Sequence, residues 1–205
     1  KSKRFTTFIK NYNKVKNWFI DYKIFNGING NNIIIPEWFK KYNTYTEIYT
    51  DVTMAGSYGC YMSHITILTN FINNNILDFI IIFEDDAEFI SSFKQDFINF
   101  YNNVPKNWEV CYLGYSLNSD PFCINKYCNK VGINGVNTTI AYMINKKGAK
   151  KFLKQLSINR LKTYWTSNEP IDCQFSRFIY NMNVYIPIKP LVFPGELSTN
   201  SSIKK

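Results

Sequence analysis

Phe79-Ile80-Ile81-Ile82-Phe83-Glu84-Asp85-Asp86 is the stretch on which the fold turns. Five apolar residues, three of them β-branched, follow one another without a polar interruption. Such a segment fits a strand buried on both faces of a layered α/β protein, and it predicts a central strand over Asp78–Phe83. Three acids follow at once. Ligands of α/β sheets bind at the carboxyl ends of the strands, so these acids stand where chemistry is expected. Alternation along an extended chain points Glu84 and Asp86 the same way, toward one cation. Hard oxygen donors suit Mg²⁺ or Mn²⁺ better than zinc, and Glu84, Asp85 and Asp86 are the candidate metal ligands. An ion held by two carboxylates keeps open positions, suited to bridging two phosphates.

Working outward, apolar residues recur at helical spacing on both sides of this strand. Residues 3–20 carry Phe5, Phe8, Ile9, Tyr12 and Val15 in that pattern, and a short extended piece follows over Tyr22–Phe25. A second helix spans Gly56–Asn75, with Tyr58, Tyr61, Met62, Ile65, Leu68 and Ile72 as its stripe. Gly56 and Gly59 at its start either admit a phosphate to backbone N–H groups or form the entry turn. After the acids, Ser92 and Gln95 stand in capping-box spacing ahead of Phe93, Phe97, Phe100 and Tyr101. Strands are expected over Glu109–Leu113, Thr138–Ile144 and Val184–Ile186. Helices are expected over Lys146–Leu156 and from Pro170, which suits a first helical turn. Strands alternating with helices predict a single mixed, mainly parallel sheet between helices. Nothing interrupts the 205 residues, so one domain is expected, with a polar tail from about residue 195.

Composition excludes other classes. A 45% hydrophobic, 18% aromatic chain is not intrinsically disordered. No apolar stretch approaches the roughly 20 residues of a membrane-spanning helix. The net charge of +9 points to acidic partners, but 21 of the 24 basic residues are lysines set among many Asn and Ile. All three have A/T-rich codons, and no dense Arg/Lys run is interleaved with aromatics, so no nucleic-acid partner is expected. Of five cysteines, Cys60, Cys111 and Cys173 sit in apolar surroundings, and Cys123 and Cys128 form a disulfide only in an oxidising compartment. His64 is the single histidine, and no zinc-ligand constellation is read from the sequence.

Gly59-Cys60-Tyr61-Met62-Ser63-His64, followed by Ile80-Ile81-Ile82-Phe83-Glu84-Asp85-Asp86-Ala87-Glu88-Phe89, resembles the two-part signature of glycosyltransferase family 25. That family includes bacterial lipooligosaccharide galactosyltransferases and collagen hydroxylysine galactosyltransferases, with relatives in giant viruses. The resemblance continues through the basic Lys1–Arg4 segment, Trp108–Gly114, Ala141-Tyr142 with Lys147-Gly148-Ala149, Pro170-Ile171-Asp172 and Ser202-Ile203. It implies a GT-A (Rossmann-like) fold and a Mn²⁺-dependent, inverting transfer of galactose or glucose from a UDP-sugar. The acceptor would be a hydroxyl on a glycan or a collagen-like protein. The family pattern opens with a strand that carries donor-base contacts; here that strand is expected upstream in a longer parent, or the uridine pocket is incomplete. Family membership and codon bias together suggest a giant-virus source, hence host cytoplasm, endoplasmic reticulum or virion.

The implied site residues follow from these matches. Asp172 is the candidate base, or an acceptor-binding residue, with Glu169 in reserve; the helix dipole alone would also favour acids there. Gly56, Gly59, Ser63, His64 and Tyr142 are the candidate donor-binding residues. His64 has a second reading as a hydrogen-bonded packing element at the edge of the apolar stripe. A third metal ligand from a late histidine is lacking, leaving Asn200, Ser201, Ser202 or water. The rival expectation is a non-catalytic glycosyltransferase-like module that binds sugars or scaffolds a larger enzyme.

Overall fold

A computed structural model describes residues 3–18, 22–41, 51–132, 135–157 and 170–195. Glu169, the segment around Trp165 and the tail beyond residue 195 lie outside the described residues. The order is α1 (Lys3–Tyr12), α2 (Glu37–Lys41), α3 (Asp51–Ile72), β1 (Phe79–Phe83), β2 (Ala87–Phe89), α4 (Phe93–Asn103), β3 (Val110–Leu117) and β4 (Phe122–Asn125). It continues with β5 (Cys128–Lys130), β6 (Val136–Asn145), α5 (Lys146–Gln155), α6 (Ile171–Phe178), β7 (Val184–Pro187) and β8 (Val192–Pro194). No described helix is long and apolar enough to cross a membrane.

Six strands form one sheet in the order β1-β6-β3-β7-β5-β4, and β2 pairs with β8 in a separate ribbon. The mixed sheet is as expected, but it is not mainly parallel. Among the described strands of this sheet only β3 and β7 pair in parallel, while β1/β6, β3/β6, β4/β5 and β5/β7 are antiparallel. The alternation of helix and strand did capture real crossovers: β1 and β3, each antiparallel to β6, run the same way with α4 between them in the chain. What alternation leaves open is which strand fills the gap. Here the chain passes through the β4–β5 hairpin and returns as β6, wedged between the two. β1 is also at an end of the sheet, not at its centre. Its apolar run reflects cover on both faces, which periodicity reports, and not its lateral position, which periodicity does not.

Two apolar layers enclose the sheet. On one face Ile82, Val110, Tyr112, Tyr142, Ile144, Val184 and Ile186 pack against Tyr58, Tyr61 and Leu68 of α3, Ala149 and Phe152 of α5, and Phe175 of α6. On the other, Cys111, Leu113, Ala141, Met143 and Tyr185 meet Phe93 and Phe100 of α4 and Tyr12 of α1, with Phe79, Ile81 and Phe83 alongside. Neighbouring strand residues take opposite layers, as the pleat requires.

Helix ends show how local chemistry set the bounds. Asn145 caps α5, its Oδ1 accepting from Gly148 N–H at 2.9 Å. α3 stops at Ile72 because Asn74 Oδ1 accepts from the N–H groups of Ile76 and Leu77 at 2.8 and 3.1 Å, an Asx turn. The capping box at α4 does not form. Ser92 Oγ donates instead to Asp96 Oδ2 at 2.7 Å, and Gln95 bonds Asn99. The first helix ends at Tyr12, short of residue 20. Cys123 and Cys128 are free thiols, one exposed and one buried, and in the hairpin Cys123 faces Asn129 while Cys128 faces Asn125.

Gly56 and Gly59 lie inside α3, which begins at Asp51, so neither forms an entry turn. Glycine in a helix interior is unfavourable by roughly 0.5–1 kcal/mol, which is why the pair looked like a boundary. At Gly59 the reason is close approach: a Cβ would collide with the backbone O of Ile28 and the N of Gly30. Gly30 meets α3 reciprocally, since its Cβ would strike the Ala55 carbonyl. Gly30→Ala is expected to cost about 1–3 kcal/mol through overpacking. Urea unfolding checks it, and an unchanged midpoint would mean the loop is not docked as described.

Candidate active site at the carboxyl end of the first strand

The last rung of the β1/β6 ladder is Glu84 N–H donating to Ile140 O at 2.9 Å. Glu84 therefore keeps the pleat of β1 and shares the face of Ile80 and Ile82, toward α3 and α6. Beyond it the pleat ends, because Ala87 N–H closes a turn on Glu84 O at 3.2 Å. Asp85 and Asp86 take their directions from that turn, and Gly195 N–H fixes it by donating to Asp86 O at 2.7 Å. Asp85 is exposed, and both aspartates line a cleft with Thr7, Phe8 and Asn11 of α1 and with Glu88 and Gly195.

A defect in β6 serves Glu84. The β3/β6 register shifts between Gly114 and Ser116, and Thr138 opposite this irregularity has φ 88°, the left-handed region that β-branched residues avoid. The distortion presents Thr139, whose hydroxyl donates to Glu84 Oε1 at 2.5 Å. Strain of this kind persists where the surroundings over-determine it.

From α3 come Cys60 and His64, one turn apart. His64 is buried; its Nδ1 lies 2.8 Å from Tyr142 Oη and its Nε2 3.5 Å from Glu84 Oε1. Burial first, then the charges of Tyr112, Glu84 and Cys60, push the Tyr142 hydroxyl far up, so it keeps its proton beside Nδ1. Tyr142 is fully buried. Ser63 points elsewhere: its Oγ donates to Gly59 O at 2.7 Å and accepts from Ile28 N–H at 2.8 Å, holding the 27–30 loop on α3.

Asp172 occupies the first turn of α6, its Oδ1 accepting from Cys173 N–H at 2.9 Å. Burial drives its carboxyl above the ordinary range, and Glu84 adds to this against the opposing Cys173 hydrogen bond. Cys60 lies among all these acids. Burial raises its thiol most, followed by the charges of Glu84, Asp172 and Asp86, so it remains S–H. Tyr112, beside Tyr142 across the β3/β6 pair, has a buried Oη with no hydrogen-bond partner, and the charge of Asp172 raises it beyond the effect of burial.

The structure thus gathers Glu84, His64 and Cys60, with Tyr142 behind the ring and Asp172 within reach of the charge of Glu84, while Asp85 and Asp86 line the α1 cleft and Ser63, Gly56 and Gly59 stand on the α3 side. Thr139, Tyr112 and Cys60 were not singled out from the sequence. For Cys60 a signal existed: four residues before His64, it shares that residue's helix face. Thr139 and Tyr112 reach the site only through strand pairing and carry no local signal.

A Rossmann-like α/β sheet with carboxylates after its first strand and a partly buried carboxyl on a late helix has the layout of the GT-A class. A family model described as glycosyltransferase family 25 (LPS biosynthesis protein) matches residues 2–173. The chain belongs to glycosyltransferase family 25, and its fold is the GT-A type with a mixed sheet. A search of curated proteins returns no match.

Proposed function

We propose that this glycosyltransferase moves a hexose, galactose or glucose, from a UDP-sugar to a hydroxyl of a glycan or collagen-like protein, with inversion and with Mn²⁺ or Mg²⁺. The observation that carries this reading is the run Glu84-Asp85-Asp86 placed directly after β1 in a chain of glycosyltransferase family 25. Like charges gathered in a partly buried place oppose one another, and a cation relieves that opposition.

By their chemistry the acids suit a hard divalent ion, since carboxylate oxygens are hard donors and Asp85 and Asp86 line one cleft. Asp86, with Glu84 or Asp85, would hold the ion, which when bound neutralises charge gathering on the diphosphate leaving group. Glu84 is aimed by the Thr139 hydroxyl, with His64 Nε2 3.5 Å away and Tyr142 Oη bonded to the other ring nitrogen. Asp172, ionised, accepts the proton of the acceptor hydroxyl as its oxygen attacks the sugar carbon from the face opposite the departing diphosphate. The partial burial of Asp172 makes it a stronger base than an exposed aspartate.

Calorimetric titration of UDP, with and without Mn²⁺, tests the donor half. Binding is expected to require Mn²⁺ and to weaken by at least about tenfold in Asp86→Ala, or about 1.4 kcal/mol. UDP binding that ignores both metal and mutation would remove the metal from the reading. No binding by the folded chain would favour a non-catalytic sugar-binding or scaffolding module.

A further inference from the structure

The ligand atoms of Cys60, His64 and Glu84 all lie within 4.8 Å of one another. This grouping differs in kind from the carboxylates of the donor site, because it joins a thiol, an imidazole and one carboxylate oxygen. We infer that Cys60 Sγ, His64 Nε2 and Glu84 Oε1 form a second, thiophilic metal site that takes Zn²⁺ or Co²⁺ and competes with the hard ion for Glu84. The binding site stands on its own geometry; only the competition rests on the function proposed above.

The geometry is close to what zinc requires. Bonds of about 2.0–2.1 Å to nitrogen and oxygen in a tetrahedron put those two atoms roughly 3.4 Å apart. His64 Nε2 and Glu84 Oε1 are already 3.5 Å apart. Sulfur at about 2.3 Å from the metal would stand roughly 3.6 Å from each, within reach of a rotation of the Cys60 side chain. Two of the three ligands are spaced four apart on α3, a rigid element, and the third is clamped by Thr139. Behind the ring, Tyr142 Oη lies 2.8 Å from Nδ1, where metal-bound histidines usually have a partner that fixes ring orientation. Glu84 is 31% exposed on its side chain, so an ion has a path in, and the fourth position falls to water.

The protons balance simply. Metal displaces the Cys60 thiol proton, which leaves to solvent. With Nε2 on the metal, the neutral imidazole carries its proton on Nδ1, where it donates to Tyr142 Oη. The surrounding acids, which oppose a bare thiolate, favour the cation that replaces the proton. A soft ion is thereby preferred here to Mn²⁺, which does not favour thiolate.

Cobalt titration of the reduced 205-residue chain, without nucleotide, tests the site. One equivalent of Co²⁺ is expected to raise a thiolate-to-cobalt charge-transfer band that Zn²⁺ abolishes by displacement. Cys60→Ser should lose the band and Cys123→Ser, on the exposed hairpin, should keep it. Glu84→Gln should weaken binding by about tenfold or more. Should Cys60→Ser fail to fold, the wild-type protein still decides: Zn²⁺ should slow alkylation of Cys60 by iodoacetamide, read by peptide mass spectrometry. No charge-transfer band, a band that survives Cys60→Ser, or alkylation indifferent to Zn²⁺ would each overturn the site. Because these readouts need neither UDP nor turnover, a cobalt band beside absent Mn²⁺–UDP binding would sink the transferase reading alone. The reverse pair of results would sink the thiophilic site alone.

Discussion

Asp172→Asn is expected to lower kcat for sugar transfer by roughly 10²–10⁴-fold while leaving the thermal midpoint unchanged or higher. The carboxyl is partly buried at the start of α6 and feels the charge of Glu84, and both effects lift its proton affinity above that of a free aspartate. A raised value means that the stabilisation linked to this group is fully present below the unfolded value, 3.8, and lost as pH rises through the folded one. Near neutrality the ionised side chain therefore works against the fold, and the neutral amide removes that opposition. The base must be ionised to act, so the acid limb of kcat/KM in the wild type should fall at a higher pH than an ordinary aspartate would give. Steady-state kinetics over pH, with thermal melts of both proteins, measure all three quantities. Equal loss of activity and stability would mark Asp172 as a structural residue instead of the base.

Replacing Lys147 and Lys151 together with Met is expected to cost about 3–5 kcal/mol at neutral pH, on the order of 10 °C in midpoint. Glu109, just ahead of β3, is 1% exposed, with Lys151 Nζ at 2.8 Å, Lys147 Nζ at 2.9 Å and Asn183 N–H at 3.0 Å. The asymmetry of exposure decides which partner matters. Lys147 is 68% and Lys151 35% exposed, so either rehydrates if Glu109 is removed, whereas Glu109 left alone has nowhere to go. The double change is thus more damaging than Glu109→Gln. Its pH dependence also reverses. In the wild type, burial pushes the Glu109 carboxyl up, but Lys151, Lys147 and the Asn183 N–H outweigh it and hold it below 4.5. That contribution is present above 4.5 and lost as pH falls through the depressed value. Without the lysines burial alone remains, the carboxyl moves up, and stability is instead lost as pH rises through the raised value. Urea unfolding at acidic and neutral pH should show the two curves converging toward low pH; parallel curves would refute the account.

Much of the frame was readable before any coordinates. The apolar stripe of α3, the start of α5 at Lys146, the Pro170 start of α6 and the placement of acids after β1 are local patterns, and local patterns survive folding. The strands β2, β4, β5 and β8, three or four residues each, are too short to show a period, and the turn signals around them do not say which partner they seek. The position of β1 in the sheet, the insertion of β6 and the true start of α3 depend on contacts distant in sequence. The site divides along the same line. Glu84, Asp86, His64 and Asp172 were singled out because motif and strand-end rules point to them. Thr139 and Tyr112 were not, because one arrives through a register shift and the other through a cross-strand neighbour.

The buried Glu109 and the candidate site acid Glu84 occupy opposite rims of one sheet. Glu109 precedes β3, while Glu84 follows β1, and these strands run the same way. For anyone engineering the protein, this separates the two risks. Screens for heat tolerance can draw their changes from the rim near Lys147, Lys151 and Asn183, and screens for a new acceptor from the rim near Asp85 and Asp172. The libraries can then be combined with little expectation of epistasis, since distant positions without shared partners add nearly independently.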